Sequence, residues 1–384
     1  MDSSSSAHAR KRIAAMLSES ELVAFDHTAA GHDGISSNAS GSLIIKPCTA
    51  AEINFYESAK DHPLFQAHMP TFLGSLSEHN DQDNVAPLLQ SSQDGVAAPG
   101  LNRRTSWKPS GGKKISTGLA VVLENVAAGF KHPNVLDVKL GVRLWDDDAP
   151  LAKRQKLDDV AARTTSGSLG FRLAGMKLWA GAQGKPDSEV EVAPSEKEYV
   201  EVKNGYKSYN KFYGQSFTAE NVVDAFKTYF GGVAVGPDND SGDDGTTTAT
   251  TMRKVRFKHP RAEFLIRRFM RELESVEYAL QEEESRMYSA SVLMVYEGDP
   301  ETLEASIAKE EKQEQQEEGM AEQDEDEIED EDEDDDDDVQ PHKVHEVRLI
   351  DFAHARWTPG EGPDQNVLTG IRHLLRILQD FVYG

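Results

Sequence analysis

The chain has 384 residues, 38% of them hydrophobic, enough for one large domain or two lobes, and its single cysteine, Cys48, excludes a disulfide framework. No window approaches eighteen apolar residues, and the opening MDSSSSAHARKRIAAM lacks the apolar run of a signal peptide, so a soluble intracellular protein without a membrane span is expected. Of the net charge of −26, residues 310–338 carry −19, with twenty Asp and Glu against one Lys; the mildly acidic remainder excludes an electrostatic duplex-binding surface and direct nucleic-acid binding.

GSLIIKPC (41–48) reads as a strand ended by Pro47. A helix is predicted from about Ala50 to Ala59, with Ile53 and Tyr56 on one side. Residues 76–114, rich in Ser, Asn, Gln and Gly, lack periodicity and read as a flexible loop. TGLAVVLENV (117–126) is an apolar strand that meets Glu124 and Asn125. PNVLDVKLG (133–141) alternates Leu136, Val138 and Leu140 with Asp137 and Lys139, so a strand here places apolar residues on one face and an acid with a base on the other. AKRQKLDDVAAR (152–163), taken as a helix, gathers Lys153, Lys156 and Arg163 within roughly an 80° arc. Residues 182–197 and 233–251 are further polar loops. Residues 261–285 are strongly helical, with Leu265, Phe269, Leu273, Val276 and Leu280 on one face. SVLMVYEG and HEVRLIDFAHA are strands on either side of the acidic run, where like charges repel and disorder is expected over 305–342. An amphipathic helix from Val367 to Val382 follows, and strands early with helices late give an α+β pattern compatible with two lobes.

Three features carry chemistry. The basic stripe of Lys153, Lys156 and Arg163 suits a polyanion with clustered phosphates, although an ordinary solvated helix face has the same composition. Asp351 in LIDFAHA, at the end of an apolar strand, suits a carboxylate that holds Mg²⁺ beside nucleotide phosphates, and His354 approaches the same site if the chain turns. Lys46 on an early strand can reach phosphates as a point charge; no GxxxxGK[ST] or GxGxxG loop precedes it, and AAGHDG (29–34) stands upstream instead.

The order AAGHDG, strand-Lys46-Pro47, VLENV, PNVLDVKLG, TTSGSLGFRLAGM, SVLMVYE and IDFAHA resembles the inositol polyphosphate kinase family. Its PxxxDxKxG signature is met by Pro133, Asp137, Lys139 and Gly141, and TTSGSLGFRLAGMKLW (164–179) is most similar to the fungal multikinase branch. The resemblance implies a two-lobed kinase-like α+β fold: an N-terminal tail over 1–20, an antiparallel-sheet N-lobe over 21–125, and a mixed α+β C-lobe over 126–384 with a short inositol-phosphate-binding helix at about 147–165. It implies that Lys46 contacts ATP phosphates, that Glu124 and Val126 form the hinge for adenine, and that Asp137 binds ribose. Lys139 would lie between the transferred phosphate and the acceptor, and Asp351 with Ser291 would hold Mg²⁺. Lys153, Lys156, Arg163 and Lys211 would hold substrate phosphates, with His354 at the reacting hydroxyl. Gln215 stands where relatives often have Arg, which alters that side of the pocket.

The implied activity is ATP-dependent phosphorylation of inositol 1,4,5-trisphosphate to tetrakis- and pentakisphosphate, by a monomer of nucleus and cytoplasm. Rival readings are a hexakisphosphate kinase that forms pyrophosphates, a strict trisphosphate 3-kinase, and a transcription-associated scaffold whose acidic run docks basic nuclear proteins. The compact N-lobe argues against the first. The short substrate segment, and the lack of a calmodulin-type basic helix before the kinase core, argue against the second. Lys46, Asp137, Lys139 and Asp351 argue against a catalytically dead scaffold.

Overall fold

The computed structural model describes residues 23–24, 34–77, 117–181, 186–234, 255–257, 261–321 and 343–384. The expected tail over 1–20, nearly all of AAGHDG, the loop over 78–114, most of 233–251 and the acidic stretch 322–342 lie outside these residues.

The first sheet is antiparallel, formed by β1 (Val23–Ala24), β2 (Ser36–Ser37), β3 (Leu43–Pro47), β4 (Phe72–Ser77) and β5 (Leu119–Glu124) in the order β1-β2-β3-β5-β4. Helix α1 (Ala50–Ser58) follows β3; Thr49 caps it by accepting from Glu52 N, and it buries Glu52, Phe55 and Tyr56. A short α2 (Pro63–Gln66) leads on towards β4.

Asn125 turns the chain into the second sheet, its backbone N–H donating to Ser42 O and its amide to Gly41 O. β6 (Pro133–Leu140) is followed by α3 (Leu151–Ala162), α4 (Thr165–Leu169), β7 (Phe171–Trp179), β8 (Val200–Lys203) and β9 (Tyr206–Tyr209). Then come α5 (Lys211–Gln215), α6 (Val223–Phe230), the small hairpin β10 (Gly232–Ala234) and β11 (Val255–Phe257), and α7 (Ala262–Glu282). The chain ends through β12 (Ser285–Met287), β13 (Ser291–Glu297), α8 (Pro300–Ala321), β14 (His345–Ile350), β15 (Ala355–Trp357) and α9 (Gln365–Tyr383). The large sheet runs β14-β13-β6-β7-β9-β8, antiparallel throughout, and β12 pairs with β15 apart from it.

β6 is central, and its alternation works as the sequence requires: Leu136, Val138 and Leu140 are fully buried in the main core. The apolar stripes of α7 and α9 supply much of that core's other wall, including Leu265, Phe269, Leu273, Leu374 and Leu378. The two sheets are joined by aromatic contacts. Phe55 of α1 stacks on Trp357 at 4.5 Å and lies 5.0 Å from Phe352, while His62 stacks on Trp357 at 3.6 Å and bonds Glu283. Trp357 Nε1 donates to Ser58 Oγ, and Leu349 N to His68 O.

The acidic segment departs from expectation at its start. Residues 305–321 are helical as the body of α8, not unstructured. Leu303 and Ile307, four apart, are buried, and Arg261 and Arg268 pair with Glu304 and Glu310. Two apolar anchors and two basic partners outweigh the like-charge repulsion there. The loop expected over 182–197 is likewise partly built: 187–189 form a 3₁₀ turn, and Asp187 accepts from the N–H groups of Asn204 and Gly205. Among the described residues, no helix is long and apolar enough to cross a membrane.

Candidate active site

The face of β6 opposite Leu136, Val138 and Leu140 carries Val135, Asp137 and Lys139, the first two of them buried. Gly141 ends the strand at φ +103°, and a Cβ there would lie 2.6 Å from Asn366 Nδ2 and 3.1 Å from Arg143 O. Asn366 cannot give way freely, because it accepts from Arg143 N at 2.8 Å and donates to Arg143 O at 3.0 Å. The glycine is thus needed both for its backbone angle and for the room it leaves.

Lys46, buried on β3, joins the two sheets chemically. Its Nζ donates to Glu52 Oε1 at 2.8 Å and to Asp351 Oδ1 at 2.6 Å. Burial alone would disfavour the ammonium, but Asp351 and Glu52 outweigh it and hold the Lys46 pKa well above its ordinary value. Asp351 sits just after β14 with φ +69°, a left-handed backbone uncommon for a non-glycine residue. Its second oxygen is 3.7 Å from Lys139 Nζ, which in turn donates to Ser289 O at 2.8 Å.

Ser291 lies opposite Lys139 on one side and opposite Ile350 on the other. Asp137 Oδ1 and Ser291 Oγ are buried beside one another, outside ideal hydrogen-bond geometry but close enough for the hydroxyl to favour the carboxylate. Burial pushes the Asp137 carboxyl up to about 6; Lys139 opposes that shift and Asp351 adds to it. The Ser291 hydroxyl and the carboxylates of Asp137 and Asp351 are hard oxygen donors of the kind a divalent cation takes. No cluster of three or more His, Cys, Asp or Glu of metal-holding geometry occurs among the described residues. Ser291 is paired in register with Ile350, the residue before Asp351.

At the sheet junction Val126 packs with Val135 and Val295, an apolar patch on the same side as Asp137. Glu124 donates its N–H to Thr71 O and accepts from Thr71 Oγ1 at 2.6 Å.

On the other side, α3 presents Lys153 and Lys156, both exposed and a turn apart, with Arg163 at its C-cap. Only Ala161 of this helix is buried, so its hold comes from elsewhere. The Trp145 ring carries the Arg143 guanidinium at 3.9 Å and that of Arg154 at 4.7 Å, and its Nε1 donates to Asp158 at 2.6 Å. Lys153 Nζ lies 3.3 Å from His354 Nε2, and His354 Nδ1 bonds Asp146. Two sets therefore form: Lys46, Glu52, Asp351, Lys139, Ser291 and Asp137 in one, and Asp146, His354 and Lys153 in the other.

Lys211 stands apart. It opens α5, its ammonium lies over the neighbouring Phe212 ring at 5.3 Å, and it bonds neither set among the described residues. Glu52, Trp145, Asp146 and Arg154 are absent from the sequence reading. Glu52 alone had a local signal there, a carboxylate six residues beyond Lys46 on the following helix. A cavity of about 660 Å³ lined by Trp179, Tyr229, Phe230 and Tyr296 opens at the opposite end of β6 and β13 and holds none of these residues, so volume does not locate the chemistry here.

The model of a family described as inositol polyphosphate kinase matches residues 120–379. The inositol polyphosphate multikinase of Saccharomyces cerevisiae is 35% identical, over 93% of this chain and 97% of that protein. The chain belongs to the inositol polyphosphate kinase family. A crystal structure of inositol phosphate multikinase Ipk2 in complex with ADP and Mn²⁺, from the same yeast, is 31% identical with a TM-score of 0.55, over 89% of this chain and 99% of that one. Inositol hexakisphosphate kinase 3 of Mus musculus is 26% identical, over 69% of this chain and 51% of that protein. The kinase-like α+β fold expected from the sequence stands, and so does membership of this kinase family.

Proposed function

We propose that this kinase transfers the γ-phosphoryl group of ATP to inositol 1,4,5-trisphosphate and then to the tetrakisphosphate, giving pentakisphosphate. The observation that carries the reading is the adjacency of the two sets. A buried cation–carboxylate cluster suited to nucleotide phosphates continues within three residues, Asp351 to His354, into an exposed basic helix suited to a polyphosphorylated acceptor. The 93% coverage of the chain by a multikinase, against 69% by a hexakisphosphate kinase, favours the multikinase activity.

In this reading the apolar patch around Val126 receives adenine beside the backbone of Glu124 and Val126, and Asp137 takes the ribose hydroxyls. Lys46 leaves Asp351 for the ATP phosphates, with Glu52 keeping its ammonium in place. Lys139, free to leave Asp351, neutralises the group in transit between donor and acceptor. Mg²⁺ on Asp351 and Ser291, when bound, supplies the remaining charge neutralisation. Lys153, Lys156 and Arg163 bind acceptor phosphates by charge-assisted hydrogen bonds, and Lys211 adds one from α5. On its charge alone, the acidic tract after α8 is offered as a contact for basic nuclear proteins, and the enzyme is placed in nucleus and cytoplasm on that basis.

Purified protein incubated with labelled ATP, Mg²⁺ and a panel of inositol phosphates tests this. Stepwise conversion of trisphosphate to pentakisphosphate is expected, with Asp351→Asn inactive yet folded by circular dichroism. Exclusive turnover of hexakisphosphate to a pyrophosphate would refute the reading.

A further inference from the structure

Asp146 is a carboxylate that the scheme above leaves without a role. It lies in the loop between β6 and α3, and one of its oxygens bonds His354 Nδ1. The other ring nitrogen, Nε2, faces Lys153 Nζ at 3.3 Å. Donor and acceptor capacities then fix the tautomer. An ammonium only donates, so Nε2 is the acceptor; a carboxylate only accepts, so the proton sits on Nδ1. The opposite tautomer would aim an N–H at a cation and a lone pair at an anion.

The pair is held from several directions. Leu144 O accepts from Ser289 Oγ at 2.9 Å, Asn366 grips both backbone groups of Arg143, and Ala149 N donates to Asp146 O. His354 O accepts from Tyr288 N at 3.1 Å. The Asp146 side chain is 17% exposed and that of His354 36%, so the carboxylate end of the pair is the shielded one.

We propose that Asp146 is a positioning residue for the transfer: it fixes His354 as the Nδ1–H tautomer, so that Nε2 takes the proton of the attacking inositol hydroxyl. Lys153 covers that nitrogen in the ligand-free protein and is drawn away when it binds an acceptor phosphate, which couples substrate binding to exposure of the base. This rests on the placement of Lys153 and His354 on the acceptor side. In the step, the hydroxyl oxygen bonds the γ-phosphorus and the bond from that phosphorus to the β–γ bridging oxygen breaks. ADP leaves with the electron pair, and the hydroxyl proton passes to Nε2. The imidazolium formed lies against the Asp146 carboxylate, which stabilises it, and then loses its proton to solvent.

The test is Asp146→Asn, whose amide can donate to Nδ1 and so favours the Nε2–H tautomer. With inositol 1,4,5-trisphosphate as acceptor, kcat should fall about a hundredfold, within the usual range for general-base catalysis. KM for ATP and for the trisphosphate should stay within about twofold. In ¹⁵N-histidine spectra of the ligand-free protein, with the His354 signals assigned through His354→Gln, the ring should change from the Nδ1–H to the Nε2–H pattern. Asp146→Glu, which keeps the carboxylate, should recover part of kcat. A merely structural Asp146 would lower the melting temperature or raise both KM values without a change of tautomer, and that result overturns the proposal. An Nε2–H ring in the wild-type protein also overturns it, and needs no variant to fold. An active wild type with an equally active Asp146→Asn overturns this proposal alone, whereas a wild type that phosphorylates no inositol phosphate overturns the functional reading beneath it.

Discussion

Removing Glu52 isolates the contribution of the cation–carboxylate cluster. Glu52 is 1% exposed and holds one side of a buried ammonium whose other side is held by Asp351. Deleting the whole of a buried ion's partner costs about 3–5 kcal/mol. Here Asp351 remains at 2.6 Å, so the loss in Glu52→Ala should be nearer that of one hydrogen bond to a charged group, about 1.5–3 kcal/mol. At roughly 2–4 °C per kcal/mol, the melting temperature should drop by about 3–12 °C. The catalytic effect goes further, because the freed ammonium closes more tightly on Asp351, the residue proposed to hold the cation. KM for ATP should rise and kcat should fall, with KM for the inositol phosphate unchanged. Differential scanning fluorimetry and steady-state kinetics measure these, with Glu57→Ala as control, since Glu57 lies exposed on the same helix. If Glu52→Ala melted and turned over like Glu57→Ala, the pairing would carry no energetic weight and the reasoning would be wrong.

Lys153→Ala and Lys156→Ala should each raise KM for inositol trisphosphate about tenfold to a hundredfold, the worth of one charge-assisted hydrogen bond, and leave KM for ATP within about twofold; a parallel loss of ATP affinity would show that α3 faces the nucleotide. Asp137, whose carboxyl is pushed up to about 6 in the fold, binds more protons folded than unfolded between about pH 4 and 6, so its contribution to stability falls as pH rises through that window. In metal- and ligand-free protein, chemical denaturation should therefore find Asp137→Asn gaining on wild type from pH 4 to 7, by up to about 3 kcal/mol at 1.36 kcal/mol per unit; a constant gap would contradict the burial argument. Gly141→Ala should cost of order 1–3 kcal/mol in backbone strain and, by displacing Asn366, lower kcat, as calorimetry and kinetics would show. Ile307→Ala should destabilise by about 2–5 kcal/mol, and a neutral result would mean that α8 is not anchored as described.

Much of this architecture was legible in the chain because its cues are local. The period-two alternation of residues 133–140 fixed which side of β6 carries Asp137 and Lys139, and the stripe from Leu265 to Leu280 fixed the buried face of α7. The site was less legible where partners are far apart. Lys46 and Asp351 are 305 residues distant in sequence yet 2.6 Å apart in space, and the choice of Glu52 as second partner depends on where α1 docks. Helix α3 was read as a helix from its basic stripe, but its anchoring was not: with a single buried residue it has almost no apolar stripe, and Trp145, against Arg143 and Arg154, helps hold it instead. The acidic run misled at its start because composition alone does not register two apolar anchors within a charged helix.

The stack of Phe55, Trp357 and His62 bears on how such an enzyme can be controlled. Helix α1 carries Glu52 on one face and plants Phe55 against Phe352 and Trp357 on another. An inactive arrangement made by swinging α1 outward would have to uncover that ring, break the Trp357–Ser58 bond and part His62 from Glu283. Exposing one large aromatic side chain costs about 1.5–3 kcal/mol, and its ring–ring contacts add about 0.5–1.5 kcal/mol, so such a state occupies between about one molecule in thirty and one in two thousand. A partner that disfavours the docked α1 would therefore have to supply a few kcal/mol of differential binding to shift this equilibrium.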